Sequence, residues 1–187
     1  TLPLTVPNYL AGFVGKPVLP LDAPEVSAAI ERVQKRTDAL LNCGGTHRPE
    51  WFHRKLGDIL YEGCGVARDE AGLLDALTKV RELREEFWRD VKVVGTGNRL
   101  NQELEKAGRV ADFIELGEVM ILDALDRRES AGAHFRNEYA TEAGEAKRND
   151  GDWCAVSAWE TRPDGTKVRH SEPLSFSLID LQVRDYR

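Results

Sequence analysis

Apolar residues recur at helical spacing through most of the first 128 positions, and the pattern lapses beyond them. Val26, Ile30, Val33, Thr37 and Leu40 follow a four-three spacing that predicts one face of a helix. Asp22-Ala23-Pro24-Glu25 starts it with a capping acid, a proline in the first turn and a second acid near the positive end. Gly44-Gly45 ends it. Pro49 opens a second helix with Phe52, Leu56 and Ile59 inward, closed by Gly63 and Gly65. Asp69 is placed to cap a third, striped by Leu73, Leu77, Val80, Phe87 and Val91 and broken by Gly95-Thr96-Gly97. The fourth and longest runs from about Leu100 to Arg128. Its seam is Leu100, Leu104, Ala107, Ala111, Ile114, Ile121 and Leu125, widened by Val110, Phe113, Gly117, Met120 and Ala124. So broad an apolar face belongs in the middle of a bundle. Gly108 and Gly117 are expected to let helices approach closely, since glycine otherwise costs helix stability.

Residues 129–152 are charged, carry Gly132, Gly144 and Gly151, and show no sustained period. A loop of that length is uncommon inside a compact domain, so it is expected to lie across another surface. Trp153 to Glu160 then reads as a strand and Pro163-Asp164-Gly165-Thr166 as a turn. Leu174, Phe176 and Leu178, alternating with serines, read as a second strand. The expected fold is mainly α: an antiparallel helical bundle of three long helices plus a shorter one, with a C-terminal extended loop and a small β-ribbon. Residues 1–20 are expected to be a linker, 21–128 the bundle and 129–187 a docking loop with the ribbon tail.

Composition narrows the function. A formal charge of -6 leaves no basic surplus for phosphates, which argues against nucleic acid as a partner. No apolar run approaches the roughly 20 residues that span a bilayer, so membrane association would go through a partner. Cys43, Cys64 and Cys154 are odd in number and widely spaced, which suits reduced thiols in a cytosolic protein. No signal peptide is expected. The chain opens at Thr1, and four of its eight prolines fall within Leu2–Pro20, so a segment cut from something longer is expected.

The densest chemistry lies in Arg127-Arg128-Glu129-Ser130-Ala131-Gly132-Ala133-His134-Phe135-Arg136-Asn137-Glu138-Tyr139. His134 and Arg136 would point the same way in an extended segment, and a dicarboxylate reader would want that combination. The preferred reading is plainer. Arg128, Glu129, His134 and Arg136 pair among themselves and with backbone carbonyls where the tail docks. On that reading Arg136→Ala leaves the isolated domain's stability nearly unchanged and weakens association with a partner.

Other constellations carry less. His47 and His53 flank Trp51 at a spacing poor for a helical metal site. Gly95-x-Gly97 lacks both a leading strand and the rest of a dinucleotide fingerprint. Cys64 has no neighbouring histidine and reads as structural. Of Glu115, Glu118 and Asp123, only Glu118 falls in the apolar seam. Trp153 and Trp159 are expected on one strand face.

The pattern R-x-E-S-x-G-x-H-x-R of residues 127–136 resembles a signature in the C-terminal domain of succinate dehydrogenase and fumarate reductase flavoprotein subunits. Leu83 to Trp88 and Leu100 to Glu118 resemble the helices before it, and Thr141 to Asp150 and Val183 to Arg187 resemble its tail. The likeness runs from about residue 20 onward, in particular to longer-tailed bacterial subunits that partner a diheme anchor. Ala131 stands where many members have arginine.

By that resemblance the fold is spectrin-repeat-like, and residues 1–20 lead from a preceding flavin domain. The parent subunit interconverts succinate and fumarate with FAD and passes electrons to an iron–sulfur subunit. No cofactor is expected in this fragment, and Arg128, Glu129, Ser130, His134 and Arg136 match the motif in a docking role. The partners implied are the flavin domain of the same polypeptide, the iron–sulfur subunit and, indirectly, the membrane anchor. The location implied is cytoplasmic, peripheral to the inner membrane. Two alternatives stand beside it: a stand-alone helical module binding an iron–sulfur subunit or assembly factor, and an L-aspartate oxidase, which the long tail disfavours.

Overall fold

A computed structural model of the chain describes residues 2–182, with side chains from Thr5 onward. Thr1 and the tail match at Val183 to Arg187 lie outside the described residues. The chain divides into two compact units, one ending at Ala39 and the other starting at Leu40. In the first, a helix α1 (Leu2–Ala11) with Pro7 inside it occupies a stretch where no helical period is legible. A second helix, α2 (Pro24–Asn42), follows and continues past the boundary between the units. Its predicted inward face is not uniformly inward: Ile30 and Val33 are exposed, whereas Leu40 at its far end is buried.

The second unit is built on α3 (Pro49–Gly63), α4 (Glu70–Asp90) and α5 (Gln102–Asp126). Sequence start signals act as expected. Asp69 accepts the Gly72 amide at 2.8 Å, filling one of the donors that a helix start leaves open. Asn101 accepts from Glu103 and Leu104, each at 3.1 Å, so α5 begins after Leu100, which is almost fully exposed. Phe52 near the start of α3 meets Phe87 near the end of α4 edge-on, with centroids 5.2 Å apart. A Cβ at Gly63, the last residue of α3, would come within 2.6 Å of Ala76 Cβ early in α4. These two contacts make α3 and α4 antiparallel, and only glycine permits the closer one. Between α4 and α5, Arg84 meets Glu115 while Arg81 meets Glu118, which is again antiparallel.

Phe52, Leu73, Val80, Phe87, Val91, Ile114 and Ile121 form the buried centre. Gly117 lies against Leu56 and Leu60 of α3, as its predicted role requires, but a Cβ at Gly108 would meet nothing within 4 Å. Phe113 and Met120 are 40 % and 48 % exposed, so the apolar face of α5 is narrower than its sequence suggests.

Glu118 is buried in this seam, and its carboxylate receives Arg81 Nε at 2.7 Å together with Arg84 Nη1. Burial pushes its pKa up, but the hydrogen bonds and fields of the two guanidiniums outweigh that and hold it below the ordinary 4.5. The stability it contributes is therefore complete above pH 4.5 and is lost as pH falls through the lowered folded value. Glu118→Gln is expected to cost about 1–3 kcal/mol at pH 7, moderated because both guanidiniums reach solvent. Melting temperature followed from pH 7 to 3 checks this: the gap between wild type and variant should close with acid.

After α5 the chain forms a short 3-10 turn (Asn137–Tyr139), a single helical turn α6 (Asp150–Trp153), and strands β1 (Ala155–Thr161) and β2 (Lys167–Pro173). The strands pair antiparallel from Ala155↔Pro173 to Thr161↔Lys167. The ribbon is as expected, but its second strand is not: Leu174, Phe176 and Leu178 follow β2 instead of forming it. The turn around Pro163 delivers the chain straight into pairing at Lys167, and that register sets the strand. Trp153 belongs to α6, so it does not share a strand face with Trp159.

Candidate functional site

A two-stranded ribbon and a long loop are marginal by themselves and need an anchor. The conspicuous motif supplies one, across the end of the bundle where α5 stops and α4 starts. Among the described residues Arg136 is the largest fully buried side chain, at 2 % exposure. Its Nη1 donates to the carbonyls of Ala124 at 2.8 Å and Leu125 at 3.3 Å, filling acceptors that the end of α5 leaves open. Its Nε donates to Glu138 at 3.1 Å. The other oxygen of Glu138 accepts the Glu70 amide at the first turn of α4, at 2.5 Å. Burial works to raise the Glu138 pKa, but the Arg136 hydrogen bond and the backbone amides pull it below its ordinary value. One guanidinium and one carboxylate, two residues apart, thus tie two helix ends together.

The backbone reinforces the tie. Arg68 donates its amide to Phe135 at 3.2 Å and accepts from Asn137 at 2.8 Å, just before α4. Ser130, fully buried, exchanges two bonds with Arg136: its Oγ accepts the amide at 2.9 Å and donates to the carbonyl at 3.1 Å. Gly132 holds a left-handed conformation at φ 59°, and Ala131 and His134 bond each other's backbones around that turn. Glu129 is buried, accepting Arg127 Nε at 2.8 Å on one oxygen and the Asn149 amide at 2.8 Å on the other. His134 Nε2 donates to the Arg127 carbonyl at 3.1 Å. Its burial lowers its pKa, and the nearby charges of Arg68, Arg127 and Arg136 act in the same direction against the carbonyl's opposing pull. Together these favour the neutral ring.

Of the five residues singled out from sequence, the structure brings Glu129, Ser130, His134 and Arg136 into this strap and leaves Arg128 exposed. The expectation that the loop lies across another surface therefore needs correction for its buried part, which folds onto its own bundle. Two strap residues escaped the sequence reading. Arg127, the first position of the motif, holds Glu129. Glu138, two positions beyond it, caps α4. The available signal was an arginine and a glutamate of opposite charge two residues apart at Arg136 and Glu138.

The other candidates resolve plainly. His47 bonds Asp90 at 2.5 Å, with Thr46 on the same carboxylate, and its ring stacks on Trp51. The His47 bond, followed by those from Thr46, holds Asp90 down at about 2. His53 lies near Phe113 instead. Among the described residues no group of three or more His, Cys, Asp or Glu is placed to hold a metal ion. Cys64 is buried, and desolvation raises its thiol pKa, with Arg68 opposing. Among the described residues no helix is long and apolar enough to cross a membrane.

The arrangement is a helical bundle in which Arg136 and Glu138 tie the end of α5 to the start of α4. The family model described as "Fumarate reductase flavoprotein C-term" matches residues 53–186, and the chain belongs to that family. Among its relatives is the succinate dehydrogenase flavoprotein subunit of Bacillus subtilis, 26% identical over 160 residues, which cover 85% of this chain and 26% of that subunit. The fumarate reductase flavoprotein subunit of Helicobacter pylori is 28% identical over 188 residues, covering 98% and 25%. A solved E. coli quinol fumarate reductase chain shares the fold, with a TM-score of 0.72 at 24% identity, over 85% of this chain and 26% of that one. The chain spans about a quarter of the length of these relatives.

Proposed function

We propose that this chain is a structural, interface-forming domain of a flavoprotein subunit that interconverts succinate and fumarate with FAD. Electrons then pass to an iron–sulfur subunit, and a membrane anchor is reached only through that partner. Supporting the reading is the family match across residues 53–186, with the motif near its centre hydrogen-bonded as an internal strap. On this reading the flavin is held outside residues 1–187. At the Gly95–Gly97 turn Asn101 already accepts the amides of Glu103 and Leu104, which supports a plain inter-helix loop there. The exposed guanidinium of Arg128, next to the strap, is the motif residue left to face the flavin domain or the iron–sulfur subunit. Residues 1–20 carry the connection from the flavin domain, and the assembly sits on the cytoplasmic side of the inner membrane.

A denaturing gel of source-cell extract, probed with antibody to this chain and imaged for covalent-flavin fluorescence, tests the reading. A reactive, fluorescent band far above 21.0 kDa is expected. A non-fluorescent band at the chain's own mass would instead make it a free-standing interaction module.

A further inference from the structure

Between the outer face of α5 and the ribbon lies an open groove of about 800 Å³. Side chains hold the ribbon there: Trp159 Nε1 donates to Asp123 at 2.8 Å, Lys167 Nζ to Glu115 at 2.9 Å, and Arg169 pairs with Asp126 at 2.7 Å. Its apolar lining comes from Leu116, Val119, Trp159 and Pro163. Leu116 is more than half exposed, and Phe113 and Met120 extend the same stripe along α5. Exposed apolar positions at i, i+3 and i+7 on one helix face are the kind of surface that a partner covers.

The charge around that lining selects the partner. Arg84, Arg162 and Lys167 line the groove against one carboxylate, Glu115, in a chain whose formal charge is -6. Glu115 and Glu118 engage Arg84 and Lys167 from the bundle side. Arg162, exposed at the hairpin turn, has no ion pair among the described residues. We propose that this groove docks an acidic segment of a protein partner, with a leucine-like side chain set on Leu116 and Val119 and carboxylates meeting Arg162 and the outer edge of Arg84. The openness of the groove suits an extended chain better than an enclosed small molecule. This site does not depend on the flavoprotein reading.

The probe is the acetylated peptide Glu-Glu-Leu-Glu-Glu-Leu-Glu-Glu, titrated calorimetrically into the full 187-residue chain. Binding is expected to weaken steeply as salt rises, because the contacts are rim charges. Arg162→Glu should weaken it about tenfold, roughly 1.4 kcal/mol, and Leu116→Ser several-fold. Arg162→Gln, with a melting curve checked against wild type, keeps the test valid if the reversal disturbs the hairpin. No binding, equal binding of the peptide with lysine at every glutamate, or an affinity untouched by either Arg162 variant would overturn the proposal. Full competition by millimolar acetate would also overturn it, reducing the groove to a site for simple anions.

Discussion

Arg136→Ala should lower the stability of the chain by about 3–5 kcal/mol, the range for breaking a buried, hydrogen-bonded charge. For a chain of this size that is on the order of 10 °C in melting temperature. Three losses combine. The carbonyls of Ala124 and Leu125 lose their donor in a place where water enters poorly. Glu138 loses the hydrogen-bonded cation that helps hold its pKa down beside the first turn of α4. A side chain that is 2 % exposed leaves a void. Arg136→Lys should recover only part, because an ammonium cannot span both the α5 carbonyls and Glu138 in the fork geometry of a guanidinium. Thermal unfolding followed by circular dichroism reads both variants. A loss below about 1 kcal/mol for the alanine variant would return the motif to a pure docking role.

The same residue shows where sequence is legible and where it stops. Helix starts and inward stripes are local: Asp69 caps what it should, and Leu73, Leu77, Val80, Phe87 and Val91 are all buried. Spacing of that kind reports burial directly, because one helix face meets one core. The strap is not local. Arg136 reaches back across eleven and twelve residues to the end of α5, and Glu138 reaches 68 residues back to Glu70. No period announces such contacts, so a charged, glycine-bearing stretch looks like a surface loop until its partners are seen. The types were readable, and their direction was not: a buried arginine and an exposed one are identical letters, which is why Arg128 was singled out and Arg127 passed over. Strand placement failed for a related reason. The serine alternation around Phe176 is a good pattern, but hairpin pairing is decided by the turn, and the turn at Arg162–Thr166 leaves Lys167 opposite Thr161.

Where local pattern and structure agree, a single charge should be decisive. Ile114, at 1 % exposure, sits in the middle of α5 among the buried residues of the core. Ile114→Asp places a carboxylate among buried apolar side chains, and an ionised group without a partner in such surroundings costs more than about 4 kcal/mol. The bundle should lose its cooperative melting transition at pH 7. The introduced carboxyl would rather be neutral in the folded state, so its pKa there is raised above the unfolded value. Stability should therefore return in part as pH falls toward that raised value, opposite in sign to the acid loss expected from Glu118. Leu116→Asp, two positions along on the exposed side of the same helix, should change stability by no more than about 0.5 kcal/mol. Circular dichroism melts of the two variants at pH 7 and 5 separate the cases. If Ile114→Asp melts like wild type, the inward phase of α5 is wrong, and with it the face on which Glu118 and Gly117 were placed.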